Sequence, residues 1–109
     1  MAIPHARPGQ VTEVRPLGVR LATERTVALF KSEHLEVIRL VLPAGKSMSP
    51  HKVPGEITLQ CIEGCMDVTV DGLSHVLRAG QLLYLTGGVT HGVTALEDTS
   101  ALLTVALHT

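Results

Sequence analysis

Aromatic side chains are almost missing from this chain: one Phe, one Tyr and no Trp among 109 residues. A core without that bulk has to be assembled from Val, Leu, Ile and Ala, and the β-branched members of the set favour strands. Apolar residues still make up 45% of the chain, enough for one globular core. At this length a single domain is expected, and a small domain leaves much of its surface unburied.

Charge of one sign is lacking as well. Nine Lys and Arg stand against ten Asp and Glu, giving a formal net charge of −1. The basic residues are scattered rather than gathered in a stripe, which argues against a nucleic-acid partner. No apolar run approaches the roughly 20 residues that a membrane span needs, so no membrane partner is expected. The first ten residues, MAIPHARPGQ, carry prolines and no apolar signal core, so a cytoplasmic protein is expected. In that setting Cys61 and Cys65 read as free thiols rather than a disulfide. Sustained helical periodicity, internal repeats and low-complexity tracts are all missing.

What the chain does have is a series of short apolar segments broken by turn residues. Residues 1–25 read as an N-terminal arm, a candidate for packing on a partner subunit. Pro16 and Gly18 argue against a long helix there; one helical turn or an edge strand fits. Residues 26–109 read as a barrel. Strands are expected at 26–33, 34–43, 56–63, 65–72, 73–80, 81–86, 90–97 and 100–109. The segment 65–72 alternates, with Met66, Val68 and Val70 on one face, and ends in the hairpin signal Asp71-Gly72. The segment 34–43 is apolar on both faces. It predicts a strand covered on both sides, or one with one face in a barrel and the other in a subunit contact. The segment 81–86 is expected to be buried. Residues 46–56 are punctuated by Pro50, Pro54 and Gly55, and no strand is assigned before Glu56. Short strands with turn signals every 8–12 residues point to an all-β sandwich or barrel.

Two stretches stand out, 45–64 and 80–91, each with one histidine beside turn residues, His51 and His91. Gly45, His51 and Gly64 stand at the spacing of glycine, five residues, His-x-His, glutamate and glycine. Gly80, Gly88 and His91 keep the register of a second glycine–proline–glycine–histidine–asparagine motif. In these motifs the chain resembles the small single-domain cupins of the RmlC-like jelly-roll superfamily, over about residues 35–107, and within them a group without an assigned reaction. The resemblance implies an all-β cupin double-stranded β-helix, a jelly-roll barrel. It also implies a metal site of three histidines and one glutamate. Here Val53 takes the place of one histidine and Ile57 that of the glutamate, while Thr86 and Ala95 replace the second motif's proline and asparagine.

Of the implied ligands His51 and His91 remain, and Glu56, one position from the glutamate's place, is the candidate carboxylate. A one-residue slip moves a side chain to the other face of a strand, unless the Pro54-Gly55 turn restores its direction. Two imidazoles and a carboxylate suit one divalent ion such as Zn, Ni, Fe or Mn. Gln60 shares the strand face of Glu56 and is a candidate hydrogen-bonding residue. Val53, Ile57, Leu59 and Cys61 are expected to line the pocket, with Ile38, Leu40 and Leu83. Cys61 is read as a soft ligand, a nucleophile or a small core residue. Tyr84 is read as a general acid or base, or as packing with a polar tip. No role falls to His5, His34, His75 or His108.

Three functions remain open on the sequence. The first is an enzyme whose ion at His51 and His91 polarises a small oxygen-bearing substrate or activates O₂. The second is a metal-free module that binds or senses a small-molecule ligand. The third is a structural homodimer without catalysis.

Overall fold

The computed structural model describes residues 5–107. Residues 1–4 of the expected arm, and His108 and Thr109 of the expected last strand, lie outside the described residues. A 3₁₀ helix, Gly18–Thr23, is followed by nine strands. They are β1 (Val27–Lys31), β2 (Leu35–Leu42), β3 (Ser47–His51), β4 (Ile57–Glu63), β5 (Cys65–Val70), β6 (Leu73–Arg78), β7 (Leu82–Leu85), β8 (His91–Ala95) and β9 (Thr99–Ala106). They form two antiparallel sheets, β1-β2-β9-β4-β7 and β3-β8-β5-β6, packed as a jelly roll. No hydrogen-bonded ladder joins the two sheets among the described residues.

Alternation decides what lies between the sheets. Leu40 on β2, Leu59 and Cys61 on β4 and Ala101 on β9 face Met66 and Val68 on β5, Leu77 on β6 and Val93 on β8. Cys61, Met66, Val68 and Ala101 are fully buried. Each buried aliphatic side chain contributes about 1.5–3 kcal/mol. The apolar face expected for Met66, Val68 and Val70 is the one turned inward.

Two expectations are corrected. Residues 47–51, where the sequence assigns no strand, form β3, with Pro50 inside it. A strand with a proline has to lie where one N–H is not needed, and β3 is the edge of its sheet, with a register shift between Met48 and His51. Nor is β7 buried. It is the other sheet's edge, and Leu82 and Tyr84 are 62% and 55% exposed, because alternation turns them outward where no further layer covers them.

The outer face of β2 is covered by the chain's own N-terminal segment. Arg39, only 6% exposed, donates through Nη2 to the Arg15 carbonyl at 2.6 Å and to Ser100 Oγ at 3.0 Å. The Glu63 carboxylate accepts from the N–H groups of Leu17 at 2.8 Å and Gly18 at 3.0 Å and from the Ser100 hydroxyl. Arg39 and Glu63 lie 3.6 Å apart. A buried charge is tolerable only when paired in this way.

Gly64 makes the turn from β4 to β5. Its φ is +84°, and a β-carbon there would stand 2.6 Å from Thr99 Oγ1. Only glycine combines that backbone with that approach.

Candidate functional site

His51 ends β3 and His91 begins β8, and the two residues are direct partners across the ladder. Their ring centroids are 4.5 Å apart and the planes are tilted by 51°. Packing of the two flanking loops brings them together. The Val53 carbonyl accepts from the Gly88 N–H at 2.8 Å. Gly87 packs on the Pro54 carbonyl so closely that a β-carbon would overlap its oxygen. His91 shares its face with buried Val93 and Ala95 and is 4% exposed. His51 is exposed.

Both rings are oriented by their own strands. His51 Nδ1 lies 3.1 Å from the Ser49 carbonyl oxygen, and His91 Nδ1 lies 3.3 Å from that of Val89. A carbonyl only accepts, so each Nδ1 carries a proton, and in the neutral ring Nε2 keeps its lone pair for a ligand. Fixing the tautomer through the other nitrogen is what metal-binding histidines need.

The remaining candidates fall elsewhere. Glu56 does not join the histidines. It is exposed, and its carboxylate accepts the Tyr84 hydroxyl on the outer face of the five-stranded sheet. That bond raises the Tyr84 pKa, with burial adding less. Tyr84 thus lies on the outer face, in register with Thr58. Gln60, half-buried, is in register with Leu82 and Leu102 and shares that outer parity. Ile57, Leu59 and Cys61 alternate to the inside, at 3%, 1% and 0% exposure. Leu40 joins the same core, with Ile38 and Leu83 packed against it. Val53 is half-buried in the loop beside the histidines.

Burial pushes the Cys61 thiol up in pKa, with Cys65 adding to it. Cys61 Sγ donates to the Glu63 carbonyl at 3.4 Å. A protonated, enclosed thiol is a core group rather than a nucleophile.

Among the described residues no three His, Cys, Asp or Glu converge. Val53 and Ile57, where two further ligands would stand, offer no donor atoms. A closed four-ligand site therefore does not fit. Two imidazole nitrogens fit an open centre whose other positions belong to water or to a ligand.

The Arg39–Glu63–Ser100 cluster has no counterpart in the sequence reading. Its one signal was an arginine inside the apolar segment 34–43.

Comparison with known proteins adds the family. A stretch is 42% identical over 52 residues to the dimethylsulfoniopropionate lyase DddW of Ruegeria pomeroyi. That match covers 47% of this chain and spans 34% of the lyase's length, about a third. A protein of unknown function from Streptococcus pyogenes superposes with a TM-score of 0.77 at 20% identity, over 100% of this chain and 96% of that one. An RmlC-like cupin with a double-stranded β-helix fold from Methanocaldococcus jannaschii superposes with a TM-score of 0.75 at 22% identity, over 92% of this chain and 94% of its own. At these identities the likeness of the two solved structures is one of fold. Residues 38–107 match the Cupin domain family. With that match spanning both histidines, the chain belongs to the cupin family.

Proposed function

We propose that the protein binds a small molecule in the mouth of its jelly roll through Nε2 of His51 and His91. The observation that carries this reading is the pairing itself: two imidazoles 4.5 Å apart, one buried and one exposed, each oriented through Nδ1. His91 supplies the fixed inner contact, and His51 closes on the ligand from the rim. Half-buried Val53 beside the pair supplies an apolar contact, which suits a modest organic molecule. A divalent ion, Zn, Ni, Fe or Mn, would be held by the same two nitrogens and would polarise an oxygen-bearing ligand. The protein acts in the cytoplasm as a homodimer; exposed Leu82 and Tyr84 support the second part of that statement.

The test is elemental analysis of tag-free protein beside thermal shifts with small organic acids, with and without chelator. His51→Ala and His91→Ala serve as controls. Shifts present in wild type and lost in both variants support the site. Shifts that survive in both variants place the ligand elsewhere. Metal lost in both variants, together with shifts abolished by chelator, would assign the ion to the pair.

A second reading, an enzyme, is favoured by the similarity to a lyase. Dimethylsulfoniopropionate is then the first compound to incubate with the metal-loaded protein. Its consumption by wild type and not by His91→Ala supports catalysis, and no consumption leaves the binding reading in front.

A further inference from the structure

An antiparallel sheet that meets water on its outer face alternates, with polar residues turned outward. The sheet β3-β8-β5-β6 does so. Its outward positions hold Ser47, Asp67, Thr69, Ser74, Arg78 and Thr94, with Val76 among them. The five-stranded sheet does not. Leu35 and Val37 on β2, Leu102 and Ala106 on β9, and Leu82 and Tyr84 on β7 share its outward parity. The N-terminal segment covers the end of this face at Arg39 and Glu63. Beyond that end Leu35, Leu82 and Tyr84 stay exposed.

Size and charge say what covers the rest. The open patch spans four strands about 4.8 Å apart and about five residues in depth, or roughly 19 Å by 17 Å in projection. With side-chain relief, two such patches would bury on the order of 1,000 Å² together, which a specific interface needs. The outward positions on it include no Lys, Arg, Asp or Glu: the central row is Tyr84, Thr58, Thr104 and Val37, and the next is Leu82, Gln60 and Leu102. Charges stand at its border. Glu56 accepts the Tyr84 hydroxyl, and Glu33 and His34 lie in the turn before Leu35. An uncharged patch offers a partner of opposite charge nothing to recognise. A second copy brings the same patch and sets no like charges against each other at its centre.

We propose that two copies of this chain pack these patches face to face, about a twofold axis at the Thr58–Thr104 row. The inference rests on the homodimer reading of the proposed function and adds the surface on which the dimer forms. A twofold axis there carries the Tyr84 side of one copy onto the β2 side of the other. Tyr84 of each copy then lies in a shallow hollow of its mate, of about 230 Å³, bounded by Leu35, Thr104 and Ala106.

The test is sedimentation velocity of the full-length protein across micromolar concentrations. Near a twofold axis a residue faces its own copy, so a charge placed there repels itself. Thr58→Lys should therefore raise the dimer Kd about a hundredfold or more. An equimolar mixture of Thr58→Lys and Thr58→Glu should restore the dimer, which a misfolded variant could not do. Ser74→Lys, on the outer face of the other sheet, should dimerise as wild type does. A monomeric wild type overturns the proposal together with the homodimer reading and leaves the face to a different partner. A wild-type dimer that Thr58→Lys leaves equally tight overturns the proposal alone, since the copies then meet elsewhere. A Thr58→Lys monomer that Thr58→Glu does not rescue, or a dimer lost equally in Ser74→Lys, also overturns it.

Discussion

Gly87 and Pro54 lie in contact across the two loops that carry the histidines, with no room for a β-carbon between them. Gly87→Ala should push the loops apart. The expected outcome is a lower Tm and weaker ligand or metal binding, although neither histidine has changed. A variant that melts and binds as wild type does would show that the contact does not set the site's geometry.

Leu59→Ala should cost about 2–5 kcal/mol, because Leu59 is 1% exposed in a core with no aromatic side chain to settle into the gap. In a domain of this size each kcal/mol lowers Tm by about 4–8 °C. Leu73→Ala, at a position 69% exposed, should stay within about 0.5 kcal/mol. Urea melts of the two variants check both values, and equal losses would contradict the assignment of buried and exposed positions.

Glu63 gives the fold an acid-sensitive fastening. Burial on its own would raise its pKa, but the Ser100 hydroxyl, the Leu17 and Gly18 N–H groups and Arg39 outweigh it and hold the carboxyl below its ordinary 4.5. A depressed folded pKa means stability that is present above the unfolded value and lost as pH falls through the folded one. Glu63→Gln should therefore lose about 1.5–3 kcal/mol at pH 7. The gap to wild type should close as pH falls below about 4.5. Melts at a series of pH values read this directly, and a gap independent of pH would refute it.

Tyr84 is the chain's one tyrosine, so ultraviolet titration of the phenol reports a single group. Its pKa should lie above 10.0 in wild type and fall in Glu56→Gln, which removes the carboxylate that accepts its proton. The same variant should leave ligand and metal binding at His51 and His91 unaltered, since Glu56 stands on the outer face. Lost binding would bring Glu56 back to the site.

Local rules carried much of this fold. The alternation of Met66, Val68 and Val70 and the Asp71-Gly72 turn were legible because strand periodicity and hairpin chemistry act over a few residues. The approach of His51 to His91 was legible only through the motif spacing, since no short-range rule joins residues 40 apart. β3 was missed because its Pro50 and polar residues read as loop, and its identity as a strand comes from pairing with β8. Glu56 depended on a one-residue parity, and the Pro54-Gly55 turn did not reverse it. The Glu63 fastening was invisible for the same reason of distance: its partner amide at Leu17 is 46 residues away.

That fastening has a consequence for assembly. With the Glu63 carboxylate holding Leu17 and Gly18, and Arg39 holding the Arg15 carbonyl, part of the outer sheet surface is out of circulation. The part left open runs over β9, β4 and β7, where Thr104, Thr58 and Tyr84 stand in a row beside Leu82. Any partner seated on the outer sheet would be confined to that strip, and loosening the arm would widen it.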